Sequence, residues 1–124
     1  MSSIDVEAAV RTFMAACGQG KDDGKHIFDL RIRLIDEEYD ELVEALNWGD
    51  RVQIAKELAD LAYVVVGTAV ALGIPFNEVF SALQASNMSK VGSDGTIKFR
   101  EDGKVLKGPE YIEAETAIRE ILGE

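Results

Sequence analysis

Five carboxylates stand in two short runs of this 124-residue chain: Glu37, Glu38 and Glu41 in EEYDE, and Glu57 and Asp60 in ELAD. Residues three apart on a helix share a face, with Cβ atoms about 5–6 Å apart, close enough for two carboxylates to share one cation. The stretch IDEEYDELVEAL (35–46) holds six acids (Asp36, Glu37, Glu38, Asp40, Glu41, Glu44) and no base. A helix that needed only solubility would mix signs, because like charges at such spacings repel. At about 100° per residue, Ile27, Leu30, Leu34, Ile35, Leu42 and Ala45 draw its apolar face. Glu38 and Glu41 fall inside that arc and Glu37 at its edge, whereas Asp36 and Asp40 lie opposite, as on a solvated face. Glu57 and Asp60 repeat the pattern in KELADLAYVVV, where Asp60 sits in apolar sequence.

Carboxylates turned inward must be protonated, paired with bases or bound to metal, because an unpaired buried charge is costly. Arg31, Arg33, Arg51 and Lys56 are available to neutralise some of them, but the acids outnumber these bases locally. An all-oxygen ligand set favours a hard cation, Mg²⁺ or Mn²⁺, over zinc, which prefers His and Cys. The chain has a single His and a single Cys.

The elements that must position these acids are helices. Apolar periodicity predicts a first helix over roughly 4–17, ended by the loop GQGKDDGK. A second runs over about 26–47 and stops at NWGD; a third, about 51–72, is apolar nearly all round after Leu58 and is expected at the centre. A fourth, over 74–90 with Pro75 in its first turn, is expected to bury Phe76, Val79, Phe80 and Leu83. Beyond residue 91 the texture changes. Asp102–Gly103 between TIKFR and KVLK signals a hairpin or ordered loop, and a short terminal helix is expected from Pro109. The class is all-α with a small C-terminal appendage.

The length suits one domain, 1–124, able to bury a core without staples. A net charge of −10 argues against nucleic acid or an anionic membrane as partner. Lone Cys17 excludes an internal disulfide and fits a reducing compartment. MSSIDVEAAV lacks a basic segment followed by an apolar run, so no signal peptide is expected and the protein is read as cytoplasmic. LAYVVVGTAVALGI (61–74) is too short to span a bilayer. Its apolar surfaces are large for its length, so self-association is expected.

EEYDE followed by ELAD resembles the E-E-x-x-E…E-x-x-D signature of the all-α nucleoside triphosphate pyrophosphatases, the MazG-like superfamily. SNMSKVGSDGTIKFREDGKVLKGPEY (86–111) is similar to the segment that follows the fourth helix in the phosphoribosyl-ATP pyrophosphohydrolase-like branch, so the likeness covers roughly residues 27–111. It implies a four-helix-bundle-like, oligomeric fold and a Mg²⁺-dependent enzyme that cuts a (deoxy)nucleoside triphosphate between the α- and β-phosphates. Glu38, Glu41, Glu57 and Asp60 match the metal-ligand positions. Glu37 matches a position proposed to hold or deprotonate the attacking water. Two or three ions, with Mn²⁺ able to substitute, bridge the phosphates in such enzymes, and the site commonly draws on more than one subunit, so a homodimer or dimer of dimers is implied. Asn87 and Lys90, three apart, with Lys104 and Lys107 in the basic tail segment, are candidate substrate contacts.

Other residues read as structural: His26 as a surface residue at a helix start, Cys17, Phe13, Met14 and Tyr63 as core, Trp48 as either a base-stacking surface or a helix-end anchor. GQGKDDGK is no P-loop. Cleavage of (deoxy)nucleoside triphosphates would serve control of the nucleotide pool, and two rivals stand beside that reading: phosphoribosyl-ATP as the substrate, and a non-enzymatic acidic helical oligomerisation module.

Overall fold

The computed structural model describes residues 3–19, 24, 26–92 and 94–124. Five α-helices follow one another, α1 (Val6–Ala16), α2 (Ile27–Trp48), α3 (Arg51–Ala71), α4 (Phe76–Met88) and α5 (Ala114–Leu122), with no strand among the described residues. The all-α class read from periodicity is therefore what the chain adopts. Most of GQGKDDGK (20–23 and 25) lies outside the described residues. The chain forms two compact units, Met1–Phe76 and Asn77–Glu124.

Local chemistry sets the helix ends of the first unit. Asp5 caps α1 by accepting from Ala8 N–H, and Asp50 caps α3 by accepting from Val52 N–H at 3.0 Å. Between α2 and α3 only Gly49 and Asp50 intervene. Gly49 takes φ 81°, a left-handed conformation that lets the chain reverse at once. The two longest helices are thereby held side by side, and α1 packs on α3. Val10, Met14, Ile27, Val66, Val70 and Ala71 form the buried core, with Leu72 and Phe76 against it.

One buried cation joins α2 to α3. Arg31 Nε donates to Thr68 Oγ1 at 3.0 Å and Nη2 to the Val64 carbonyl at 3.0 Å. The guanidinium fits because position 67 is glycine: a Cβ there would lie 2.7 Å from Arg31 Nη2 and 3.4 Å from Met14 Sδ. Gly67→Ala should cost about 1–2 kcal/mol, overpacking outweighing the gain in helix propensity. Thermal melting should show the loss, and Arg31→Met in the same chain should relieve it; equal losses with and without Arg31 would refute the steric account.

The second unit contains α5 and a minimal hairpin. Phe99 and Val105 form an isolated antiparallel bridge, Arg100 N–H donates to the Lys104 carbonyl at 2.7 Å, and Gly103 turns the chain at φ 89°. Arg100 pairs with Asp102 inside the turn. The Asp-Gly signal thus marks a real reversal.

Several expectations need correction. The terminal helix begins at Ala114, not Pro109, because Pro109 and Glu110 form a turn. Phe80 and Leu83 are 53% and 44% exposed, and Cys17 is exposed where a core position was expected. Phe13 and Tyr63 meet edge to face, 5.8 Å between centroids, but remain half exposed. The apolar girdle of α3 is covered towards its C-terminal end, while Val52, Leu58 and Val65 stay exposed.

Candidate metal centre

Glu38 and Glu41 project from α2 one turn apart, and Glu57 and Asp60 from α3 in the same relation. Because α2 and α3 lie antiparallel across the Gly49–Asp50 reversal, the two pairs face each other. Each of the four offers a carboxylate oxygen, and those oxygens all lie within 4.8 Å of one another. Glu57 is buried, Glu38 and Asp60 half-buried, and Glu41 exposed. Glu37 is exposed on α2 and is not part of this group.

The electrostatics of the cluster are those of a site short of positive charge. Hydrogen bonding to the Glu57 carboxyl, reinforced by the charges of Glu38 and Glu57, holds Glu41 above the usual carboxylate range. Lys56 Nζ lies 2.7 Å from Asp60 Oδ2 and 3.5 Å from Glu57 Oε1, and the bond to Asp60, with the two acidic charges, raises the lysine. Gln53 Nε2 donates to Glu57 Oε1 at 2.8 Å. Buried oxygens remain without a donor on two members, Glu38 Oε2 and Glu57 Oε2. Leaving a buried acceptor unmet costs about 1–3 kcal/mol, more when charged. Hard oxygens gathered this closely, two of them lacking donors, fit a divalent cation of the Mg²⁺ or Mn²⁺ type.

The other predicted neutralisers do not serve the cluster. Arg31 is committed to Thr68 and the Val64 carbonyl, and among the described residues neither Arg33 nor Arg51 forms an ion pair. Gln53 was not singled out from sequence, although its i, i+4 relation to Glu57 is a readable signal.

Beside the acids runs a groove of about 540 Å³, which shares Glu41 and Glu57 with the cluster and is further lined by Trp48, Gln53 and Lys56. Trp48 is 82% exposed, so it is not the helix-end anchor that its position allowed. This volume is ordinary for a small-molecule site.

The basic candidates belong to the second unit. Lys90 Nζ donates to Asn87 Oδ1 at 3.1 Å, and Lys90, Lys98 and Lys107 line a groove of about 300 Å³. Lys107 lies 4.8 Å above the Tyr111 ring. Lys104 is exposed in the hairpin and does not line that groove. His26 is exposed at the start of α2, as expected.

A family model described as phosphoribosyl-ATP pyrophosphohydrolase matches residues 19–87, more than half of the chain and the whole of α2 and α3. The chain belongs to the phosphoribosyl-ATP pyrophosphohydrolase family. That family lies within the MazG-like all-α pyrophosphatase superfamily, so the protein is a hydrolase of phosphoric anhydrides acting on a nucleotide, with metal-dependent chemistry. No curated protein matches the chain. The acidic cluster is the candidate metal centre for an enzyme of this family, because an anionic nucleotide approaching a chain of net charge −10 needs the local field inverted first.

Proposed function

We propose that the chain hydrolyses a (deoxy)nucleoside triphosphate between its α- and β-phosphates, releasing the monophosphate and pyrophosphate and so controlling the nucleotide pool. The observation that carries this reading is the meeting of four carboxylates within 4.8 Å at the edge of a groove with an exposed tryptophan. Glu38, Glu41, Glu57 and Asp60 would hold Mg²⁺, two or three ions per site, or Mn²⁺ in its place. Bound there, the ions supply charge neutralisation and Lewis-acid polarisation of the phosphates. Gln53 keeps Glu57 oriented through its 2.8 Å bond. Glu37 takes a proton from the attacking water, and Trp48 offers its face to the base. Net charge supports a partner that is neither nucleic acid nor membrane, and lone Cys17 supports a reducing, cytoplasmic setting.

The name of the matching family favours a second substrate, phosphoribosyl-ATP, which would be cut at the same anhydride bond. Incubation of the (deoxy)nucleoside triphosphates and phosphoribosyl-ATP with Mg²⁺, followed by assay for monophosphate and pyrophosphate, separates the two. Turnover of phosphoribosyl-ATP alone would replace the pool-control reading. No turnover, together with no stoichiometric Mg²⁺ or Mn²⁺ binding by calorimetry, would leave an acidic oligomerisation module.

A homodimer, or a dimer of dimers, is part of the proposal. On α2, Phe28, Ile32, Tyr39, Val43 and Leu46 are between 40% and 65% exposed. They fall within an arc of about 60° on a 3.6-residue helix, a seam that a second copy would cover. Light scattering at micromolar concentration should give at least twice the chain mass, and Ile32→Glu should lower it to one chain. A monomeric native protein would defeat the prediction.

A further inference from the structure

Lys56 joins the acidic cluster to the groove. Its ammonium lies 2.7 Å from Asp60 Oδ2 and 3.5 Å from Glu57 Oε1, so two of the four carboxylates are partnered by a cation that the chain itself supplies. Both neighbouring sites for positive charge are still unmet, since Glu38 Oε2 and Glu57 Oε2 are buried without a donor. The Lys56 side chain is 63% exposed, and exposed ion pairs of this kind are weak, so the ammonium leaves Asp60 readily. Lys56 also lines the groove that holds Trp48 and Gln53, beside the acids Glu41, Glu44, Asp50 and Glu57.

We propose that Lys56 is a resident counter-ion that gives up Asp60 and Glu57 when the cluster takes divalent cations, and then pairs with the substrate's phosphates. The proposal rests on the reading of the cluster as a metal centre. An ammonium and a divalent cation repel each other at one carboxylate, so a metal ion on Asp60 weakens its pair with Lys56. The stem of Lys56 is rooted between cluster and groove, and the displaced charge therefore stays at their boundary. An anion held by the loaded cluster brings its negative charge to that boundary, and a charge-assisted bond to phosphate replaces the lost one.

The two roles give opposite signs on removal of the charge, which a purely structural lysine would not. Lys56→Met keeps the stem and deletes the ammonium. Calorimetric titration of Mg²⁺ into the ligand-free protein should show binding about fivefold tighter than in the native chain, through loss of the competitor. Titration of inorganic pyrophosphate into the Mg²⁺-loaded protein should show binding about tenfold weaker, through loss of the phosphate contact. Lys56→Arg should restore both values towards native. Unchanged or weaker Mg²⁺ binding in Lys56→Met, or unchanged pyrophosphate binding, overturns the proposal while leaving the metal centre intact. Failure of the native protein to bind Mg²⁺ overturns both together.

Discussion

Glu57→Gln is expected to lower turnover by on the order of 10³-fold, because several kcal/mol of transition-state stabilisation pass through a bound cation. Glu57 is 4% exposed, with one oxygen held by Gln53 and the other buried without a donor. The amide is nearly isosteric but carries no negative charge and turns a donor towards the cluster, so cation binding fails while packing is kept. Circular dichroism should show the native helical signal. The metal-free variant should melt at the same temperature or higher, since one of four repelling carboxylates is gone. Glu38→Gln, Glu41→Gln and Asp60→Asn should follow the same pattern in activity. If two of these four variants keep near-native turnover, the ligand shell has been misassigned.

The second large effect concerns the water. Glu37→Gln should reduce kcat by about 10²- to 10⁴-fold, the usual reach of general-base catalysis, with much less change in substrate binding. Its carboxylate stands outside the group of four, exposed on α2. Activation of water is needed in the transition state and not for holding the substrate, which is why the loss should appear in kcat. In ¹⁸O-water the native enzyme should place label in the monophosphate, with pyrophosphate released unlabelled. Label in free orthophosphate, from attack at the γ-phosphorus, would exclude this mechanism whatever the metal dependence.

Much of the centre is legible without coordinates, for a local reason. A helix turns about 100° per residue, so Glu38 with Glu41, and Glu57 with Asp60, must share a face wherever their helices go. Reading the apolar arc of α2 was enough to suspect that Glu38 points inward, and one of its oxygens is indeed buried. The reversals were equally local. Gly49 and Asp50 announce the α2–α3 turn, and Asp102–Gly103 announces the hairpin, because few residues accept a left-handed backbone or cap a helix so readily.

What only the tertiary structure decided is who meets whom across helices. Periodicity orients a side chain about its own axis and says nothing of the neighbour it will face. The four carboxylates converge within 4.8 Å because the α2–α3 reversal is only two residues long, and that convergence leaves particular oxygens without donors. Arg31 and Lys56 looked alike in sequence as bases near acids. Gly67 opens a space on α3 that draws the Arg31 guanidinium to Thr68 and the Val64 carbonyl, whereas Lys56 lies on the acidic face and reaches Asp60. Phe80, Leu83 and Cys17 were apolar enough for a core but were left exposed, because burial depends on which surfaces the packed helices cover and not on hydrophobicity alone.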